Sequence, residues 1–357
     1  MKALIKRIAF ELNSIKYTSF FPIDHKPGSF QNPDDYCGPL YSCVKKITVP
    51  KTTQCIGSLI ADGRLYCCPA NGGQIMMYDL KNKSFSFGST ISSGPLLFSG
   101  IGKYGNNIYC FPRRANSIVV HDRINNTTRE IDLRTKYHQE HHYCGVITSE
   151  GVAYQPPRNT NHILKIDLNK FSVEKVDISF PKAKIRYSGI IYHPNGYIYM
   201  IPEYNGKIIV LDPKTDKFRY IGPFWNDCRA VGPTVGCDGN IYAALIFSKG
   251  ILKIDVQKNE VSIIQPSVHF ASYGLESVNS KLISFPSYTD GFYEVDLAGK
   301  EVHEIGTVDR LSEKAECAGA SVDENGDIYV VPCYGENIYV LKKNSMCNIN
   351  YTYDNSF

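Results

Sequence analysis

The sequence predicts an all-β fold, a closed seven-bladed β-propeller built from four-stranded antiparallel blades. Three observations carry that expectation. First, an aromatic-rich strand recurs seven times, as LYCCP, IYCFP, AYQPP, IYMIP, IYAAL, LISFP and IYVVP. Its second residue serves as an anchor: Tyr66, Tyr109, Tyr154, Tyr199, Tyr242, Ile283 and Tyr329, at intervals of 41 to 46 residues. Second, each copy keeps one register. Three residues past the anchor stand Pro69, Pro112, Pro157, Pro202, Leu245, Pro286 and Pro332. Thirteen past it stand Asp79, Asp122, Asp167, Asp212, Asp255 and Asp296, with Lys342 breaking the series. Nine or ten before it stand Gly57, Gly100, Gly145, Gly189, Gly232, Gly274 and Gly319. Third, hairpin-turn pairs such as Asp62-Gly63, Gly105-Asn106, Asn195-Gly196 and Asn325-Gly326 immediately precede the anchors. Such pairs tolerate the positive φ that two-residue hairpins need.

Each unit then supplies four strands. A Gly-led strand precedes the turn, and the anchor strand follows it. A third strand ends at the Asp, as in QIMMYDL, SIVVHD and KIIVLD; a fourth follows, as in SFSFG, TREIDL and FRYIG. One such unit cannot bury both faces of its sheet, whereas seven around an axis can. The Gly of each first strand allows close backbone approach near the axis. The repeated Asp opens the turn into DLKNKS, DRINNT, DLNKFS, DPKTDK and DVQKNE. There a carboxylate bonds nearby backbone N–H groups, so its role is structural. The Pro ends a strand.

The seventh unit lacks a fourth strand of its own. Residues 44–49, VKKITV, are expected to complete it, tying the two ends of the ring together; the rival is a strand between Cys347 and Tyr353. The chain thus divides into a non-repeat N-terminal arm (1–43), the propeller (44–346) and a C-terminal tail (347–357). The arm opens on MKALIKRIAFELNS, a short helix or packed segment with Leu4, Ile8, Leu12 and Ile15 on one helical face. A basic membrane-surface helix is the weaker alternative, because Glu11 interrupts it and the segment is short. The arm also carries Phe10, Phe20, Phe21, Phe30, Tyr36 and Tyr41, more aromatic surface than a solvated tail holds.

Composition narrows the function classes. The 357 residues are 43% hydrophobic and 21% charged, the balance of an ordinary folded chain. A net charge of +4 (39 basic against 35 acidic residues), evenly spread, does not argue for specific nucleic-acid binding. No apolar run is long enough for a transmembrane helix, and no secretory signal opens the chain. The 12 cysteines show no paired framework, Cys67 and Cys68 being adjacent. They read as reduced, buried thiols of an intracellular protein, cytoplasmic or within a large assembly. Asn82, Asn125, Asn126 and Asn350 begin glycosylation triplets, which matter on a secretory route.

The motif G…DGxIY…P…V..ID resembles the seven-bladed repeats of the NHL, YVTN and gluconolactonase-type propellers over residues 45–342. The resemblance implies the fold, and this architecture hosts unrelated activities. It differs from WD-type repeats in lacking a Trp-Asp dipeptide. It differs from kelch repeats in having one Gly-Gly pair, Gly72-Gly73. It differs from quinone-dependent dehydrogenase propellers in having the single Trp225.

Function is expected at the channel-mouth face. In a propeller the loops between second and third strands share that face with the blade-to-blade connections. The first set offers Ala70 and Asn71, Arg113 and Arg114, Arg158 and Asn159, Glu203 and Tyr204, Ile246 and Phe247, Ser287 and Tyr288, Cys333 and Tyr334. The second adds His141, His142, Arg186, Arg229 and Glu316. From these, Arg113, Arg114, Arg158, His141, His142, Arg186, Glu203, Tyr204, Arg229, Tyr288, Glu316 and Tyr334 form a candidate binding set with a basic sector over blades 2 to 5. Arginine and tyrosine are the residue types that anchor interfaces. The stretch YHQEHHYC gathers His138, Glu140, His141, His142 and Cys144, but no second cluster with metal-ligand spacing accompanies it. For the lactonase-type propellers the resemblance implies Glu, Asn and Asp at inner-strand ends. Glu276 is the one convincing acid there, and no inner Asn matches. No phosphate loop, nucleophile elbow or His-Glu-x-x-His helix occurs.

These observations favour a non-catalytic binding or scaffolding protein, with a protein partner engaged through the mouth loops and the arm, and with no cofactor or metal. The alternative is a propeller hydrolase, lyase or lactonase working at the channel mouth. A lectin-like propeller would repeat equivalent aromatic-plus-polar pockets, and these loops are too unequal for it.

Overall fold

In the computed structural model the residues described are 39–50, 54–133, 142, 144–178, 185–246, 250–268, 271–286, 291–298, 301–307, 317–333 and 335–344. All regular structure among them is β; none is helical, so no described helix crosses a membrane. Seven antiparallel sheets form blades in chain order around a ring, and Gly72–Gly73 pairs with Ile91–Ser93 in a further two-stranded sheet. Blade 1 comprises Cys55–Ala61, Arg64–Pro69, Met76–Asp79 and Ser84–Phe87, paired in that order. Blades 2, 3, 5 and 6 repeat the order, with innermost strands Phe98–Tyr104, Val146–Ile147, Ala230–Val235 and Ser272–Val278. The innermost strands touch in ring sequence, and blade 1 closes against blade 7. The chain is a seven-bladed β-propeller.

The core lies between blades. Among the described residues, seven apolar clusters fill the seven inter-blade spaces. Tyr66 and Met77 of blade 1 meet Ile108, Cys110 and Val119 of blade 2. Tyr154 and Ile163 meet Met200 and Ile209, and Tyr329 and Val340 meet Leu65 and Met76. The anchor tyrosines are all buried, so the residue that repeats in sequence is the one that fills the gap between sheets. Nine described cysteines are free thiols, eight of them buried. Burial pushes the Cys228 thiol up to about 12, far from the thiolate that reacts.

The inner glycines answer to sterics. Gly100 (φ +79°) and Gly232 (φ +52°) sit where the first strand bulges against the second. A Cβ on Gly100 would lie 2.7 Å from the Cα of Cys144, and one on Gly232 would lie 2.4 Å from the Cα of Gly274. Neighbouring inner backbones therefore touch where a side chain would stand.

Blade 7 is completed from the other end of the chain. Cys317–Val322, Ile328–Pro332 and Asn337–Lys343 are joined by Tyr41–Thr48, antiparallel to Asn337–Lys343. The strand starts at Tyr41, three residues before the boundary expected for the repeat, because Leu40 and Tyr41 are buried in the space between blades 6 and 7. The Leu40 N–H donates to Glu294 Oε2 of blade 6 at 2.7 Å, and the Tyr41 hydroxyl donates to the Gly326 carbonyl at 2.8 Å. Residues 1–38 of the arm and 345–357 lie outside the described residues, and with them the rival strand between Cys347 and Tyr353.

Blade 4 departs from the pattern. Its second and third strands run together as Ile198–Leu211, turning at Asn205 (φ +52°), and its fourth strand, Phe218–Asp227, is 10 residues long. The added length pairs Tyr204 with Asp227 and Gly206 with Trp225, extending blade 4 as a two-stranded ribbon.

The repeated Asp caps its turn. Asp79 accepts the N–H groups of Lys81 and Asn82, Asp122 those of Ile124 and Asn125, and Asp167 those of Asn169 and Lys170. Asp212 and Asp255 accept from Lys214 and Lys258. These backbone donors hold the Asp79, Asp122, Asp212 and Asp255 carboxyls below the usual range. A depressed folded-state pKa gives stability that is present above the unfolded value, about 4, and is lost as pH falls through the folded one. The melting temperature is therefore expected to drop on acidification below about pH 4. A variant with all four changed to Asn should lose part of that slope; an unchanged slope would show that other carboxylates set it.

Candidate functional site

The mouth face is assembled by backbone hydrogen bonds between the two loop sets. Asn159 N–H donates to the Ile185 carbonyl (2.8 Å) and Tyr187 N–H to Pro157 (3.0 Å). The N–H groups of Cys228 and Arg229 both donate to the Glu203 carbonyl, at 3.0 Å each. The opposite face carries the two-residue hairpins and the Asp turns. Because anchor-plus-four positions of consecutive blades lie side by side, residues about 45 positions apart in sequence become neighbours.

Five of the sequence-derived residues come together there, at the corner of blades 3, 4 and 5. Arg158 Nη1 reaches Glu203 Oε2 at 2.8 Å, with both side chains sealed from water (7% and 0% exposed). Arg186 Nη1 stands 3.8 Å from the other Glu203 oxygen, and its Nε donates to Asn159 Oδ1 at 3.3 Å. The guanidinium carbons of Arg186 and Arg229 lie 5.8 and 5.2 Å from the Tyr204 ring centre, within cation–π range. Arg229 Nε pairs with Asp227 Oδ1 at 2.6 Å. The blade-4 ribbon sets this geometry, since Tyr204 is in register with Arg186 on one side and Asp227 on the other.

The backbone is bent to the same end. Asn159 (φ +56°), Asn205 (φ +52°) and Arg229 (φ +51°) are left-handed. Asn tolerates that conformation, whereas for Arg it costs about 1 kcal/mol or more. Arg229 holds it because its N–H is committed to the Glu203 carbonyl and its own carbonyl accepts from Ile246 N–H. Burial raises the proton affinity of the Glu203 carboxyl, while Arg158, Arg186 and Arg229 oppose the shift.

The remaining predicted residues divide. Arg113 is buried and Arg114 exposed at the blade-2 loop, where both N–H groups donate to the Leu97 carbonyl. His142 is buried, with Nδ1 3.2 Å from the Pro156 carbonyl and its ring 5.6 Å from that of His162. His141, Tyr288, Glu316 and Tyr334 lie outside the described residues, as do His138 and Glu140. Glu276 is buried in the first strand of blade 6. No group of three or more His, Cys, Asp or Glu side chains is placed to hold a metal among the described residues. Sequence reasoning missed Asp227. The signal for it is the length of FRYIGPFWND, which outruns every other fourth strand and carries Asp227 up to Arg229.

No protein-family model and no curated protein matches this sequence. Solved structures do. A streptogramin B lyase structure aligns over 85% of this chain and 98% of its own, with TM-score 0.72 and 15% identity. A catalytically inactive virginiamycin B lyase from Staphylococcus aureus with quinupristin aligns over 84% of this chain and 98% of its own, with TM-score 0.71 and 14% identity. YCF48 bound to a D1 peptide covers 90% of this chain and 99% of its own, with TM-score 0.62 and 10% identity. At these identities the likeness establishes the propeller fold.

Proposed function

We propose that this chain is a non-catalytic binding propeller that engages a protein partner through its mouth face at blades 3 to 5, with the N-terminal arm as a second contact. The observation that carries the reading is the convergence of Arg158, Arg186 and Arg229, from consecutive blades, on Glu203 and Tyr204. Arginine and tyrosine at a rigid, preorganised site are what interface hot spots are made of. YCF48, of the same fold, is solved with a peptide bound, so the fold is compatible with a peptide ligand. The two lyases share the fold at identities that carry no chemistry across. The free thiols support a reducing compartment inside the cell.

Site-specific photo-crosslinking in the native cell tests the reading. A photoreactive residue at Arg114 or Lys207, on the mouth face, is expected to give a discrete protein adduct. The same probe at Lys81 or Lys170, in turns of the opposite face, should give none. Adducts from the second pair and not the first would move the interface to the other face.

A further inference from the structure

Resting on that reading, we infer that the blade 3–5 corner takes an extended acidic peptide segment, with Arg186 and Arg229 as its carboxylate contacts and the Arg158–Glu203 pair as the buried platform beneath them. The three guanidinia differ in exposure. Arg158 is sealed and faces Glu203 at 2.8 Å, so its charge holds the platform together. The side chains of Arg186 and Arg229 keep 32% and 27% of their surface open to solvent. Both are held against the Tyr204 ring, which leaves the planar fork less freedom to lose when a carboxylate docks.

The partly exposed guanidinia set the class. Among the described residues Arg158, Arg186 and Arg229 meet the carboxylates of Glu203 and Asp227, and the side chains of Arg186 and Arg229 stay partly open to solvent. Arginine forks suit carboxylates bidentately. Nucleic acid fits less well. Glu203 and Asp227 stand inside the patch against a phosphate run, and the Tyr204 ring is engaged by two guanidinia instead of being offered to a base.

The test is fluorescence anisotropy of the full chain with labelled decaglutamate, beside decaglutamine and a ten-nucleotide oligothymidine. Decaglutamate is expected to bind saturably, at least about tenfold tighter than decaglutamine, and to weaken as salt is raised. Arg186→Gln with Arg229→Gln should weaken it by about tenfold or more, whereas Lys81→Gln with Lys170→Gln should leave it unchanged. Arg229→Gly guards against misfolding: it relieves the left-handed backbone, so the melting temperature holds or rises while affinity falls. Equal binding of decaglutamate and decaglutamine, or full affinity in Arg229→Gly, overturns the inference. Oligothymidine binding as tightly as decaglutamate reassigns the patch to nucleic acid. If mouth-face crosslinks form while decaglutamate fails to bind, the partner surface stands and its acidic specificity falls. If decaglutamate binds while crosslinks arise only from the opposite face, the acidic site stands without the partner reading.

Discussion

Glu203→Ala is expected to cost about 3–5 kcal/mol of unfolding free energy, the range for breaking a buried ion pair from one side. Arg158 is sealed from solvent, and Glu203 Oε2 is 2.8 Å from its Nη1. Removing the carboxylate leaves the guanidinium in a low-dielectric pocket with its nearest counter-charge gone, and the same substitution opens a void beneath Arg186. The loss should exceed that of Asp227→Ala, whose carboxylate is half exposed and pairs at the surface. Glu203→Leu combined with Arg158→Met removes both charges and keeps apolar volume. It should recover much of the lost stability, because two absent charges need no solvation. Chemical denaturation of the wild type, Glu203→Leu, Arg158→Met and the combined variant, a double-mutant cycle, checks this, with a coupling of about 1 kcal/mol or more expected for groups in direct contact. A single-variant loss within about 0.5 kcal/mol, the range of ordinary surface changes, would sink the account. The double variant should also separate platform from contact. It folds, yet Arg186 loses the Glu203 carboxylate beside it, so acidic-peptide affinity falls without loss of the native state.

The blades are legible in the sequence because each repeats one solution to the same steric problem. A Gly is needed where inner backbones touch, a positive-φ pair where the hairpin turns, an apolar anchor between sheets, and an Asp where the outer turn needs a cap. All four demands recur in the same form from blade to blade, so each leaves a residue type at a fixed offset. The site is legible in part. The register places Arg158 and Glu203 at equivalent positions of neighbouring blades, and Arg186 and Arg229 at the connections beside them. What the sequence does not reveal is depth. Arg158, Glu203, Arg113 and His142 read as loop residues open to a partner, and all four are buried. That burial follows from loops of adjacent blades hydrogen-bonding over one another, a contact between segments far apart in the chain. Asp227 is hidden for a related reason. The ribbon that delivers it exists because Phe218–Asp227 continues pairing past the end of a standard blade, with the Tyr204 corner as its partner.

Removing residues 1–48 should be the most damaging change short of breaking the repeat. A shorter truncation that lacks only 1–38 retains the closing strand and isolates the contribution of the arm. Strand pairing is the first reason for the damage. Tyr41–Thr48 supplies the outer strand of blade 7, whose other strands come from the far end of the chain. Without it, Asn337–Lys343 becomes a bare edge that carries Ile338, Val340 and Leu341, all buried in the intact ring. Leu40 and Tyr41, both buried, are lost as well, and each fully buried apolar side chain contributes about 1.5–3 kcal/mol. The Glu294 carboxylate also loses the Leu40 N–H in a buried setting, and burial already raises its proton affinity. The expected deficit is roughly 3–6 kcal/mol before the backbone ladder is counted, a large fraction of the stability of an ordinary domain. Chemical denaturation and size-exclusion chromatography should show a chain that unfolds at lower denaturant or self-associates through the bare edge. A synthetic peptide spanning residues 39–50 should restore cooperative unfolding in trans, since strand addition to an exposed edge needs only main-chain pairing and pockets for alternate side chains. Native-like unfolding of the chain lacking 1–48, with no response to that peptide, would mean that the ring closes through inter-blade packing and that the end-to-end strand is dispensable. If loss of 1–38 leaves the melting temperature unchanged but abolishes partner crosslinking, the arm belongs to the interface and not to the fold.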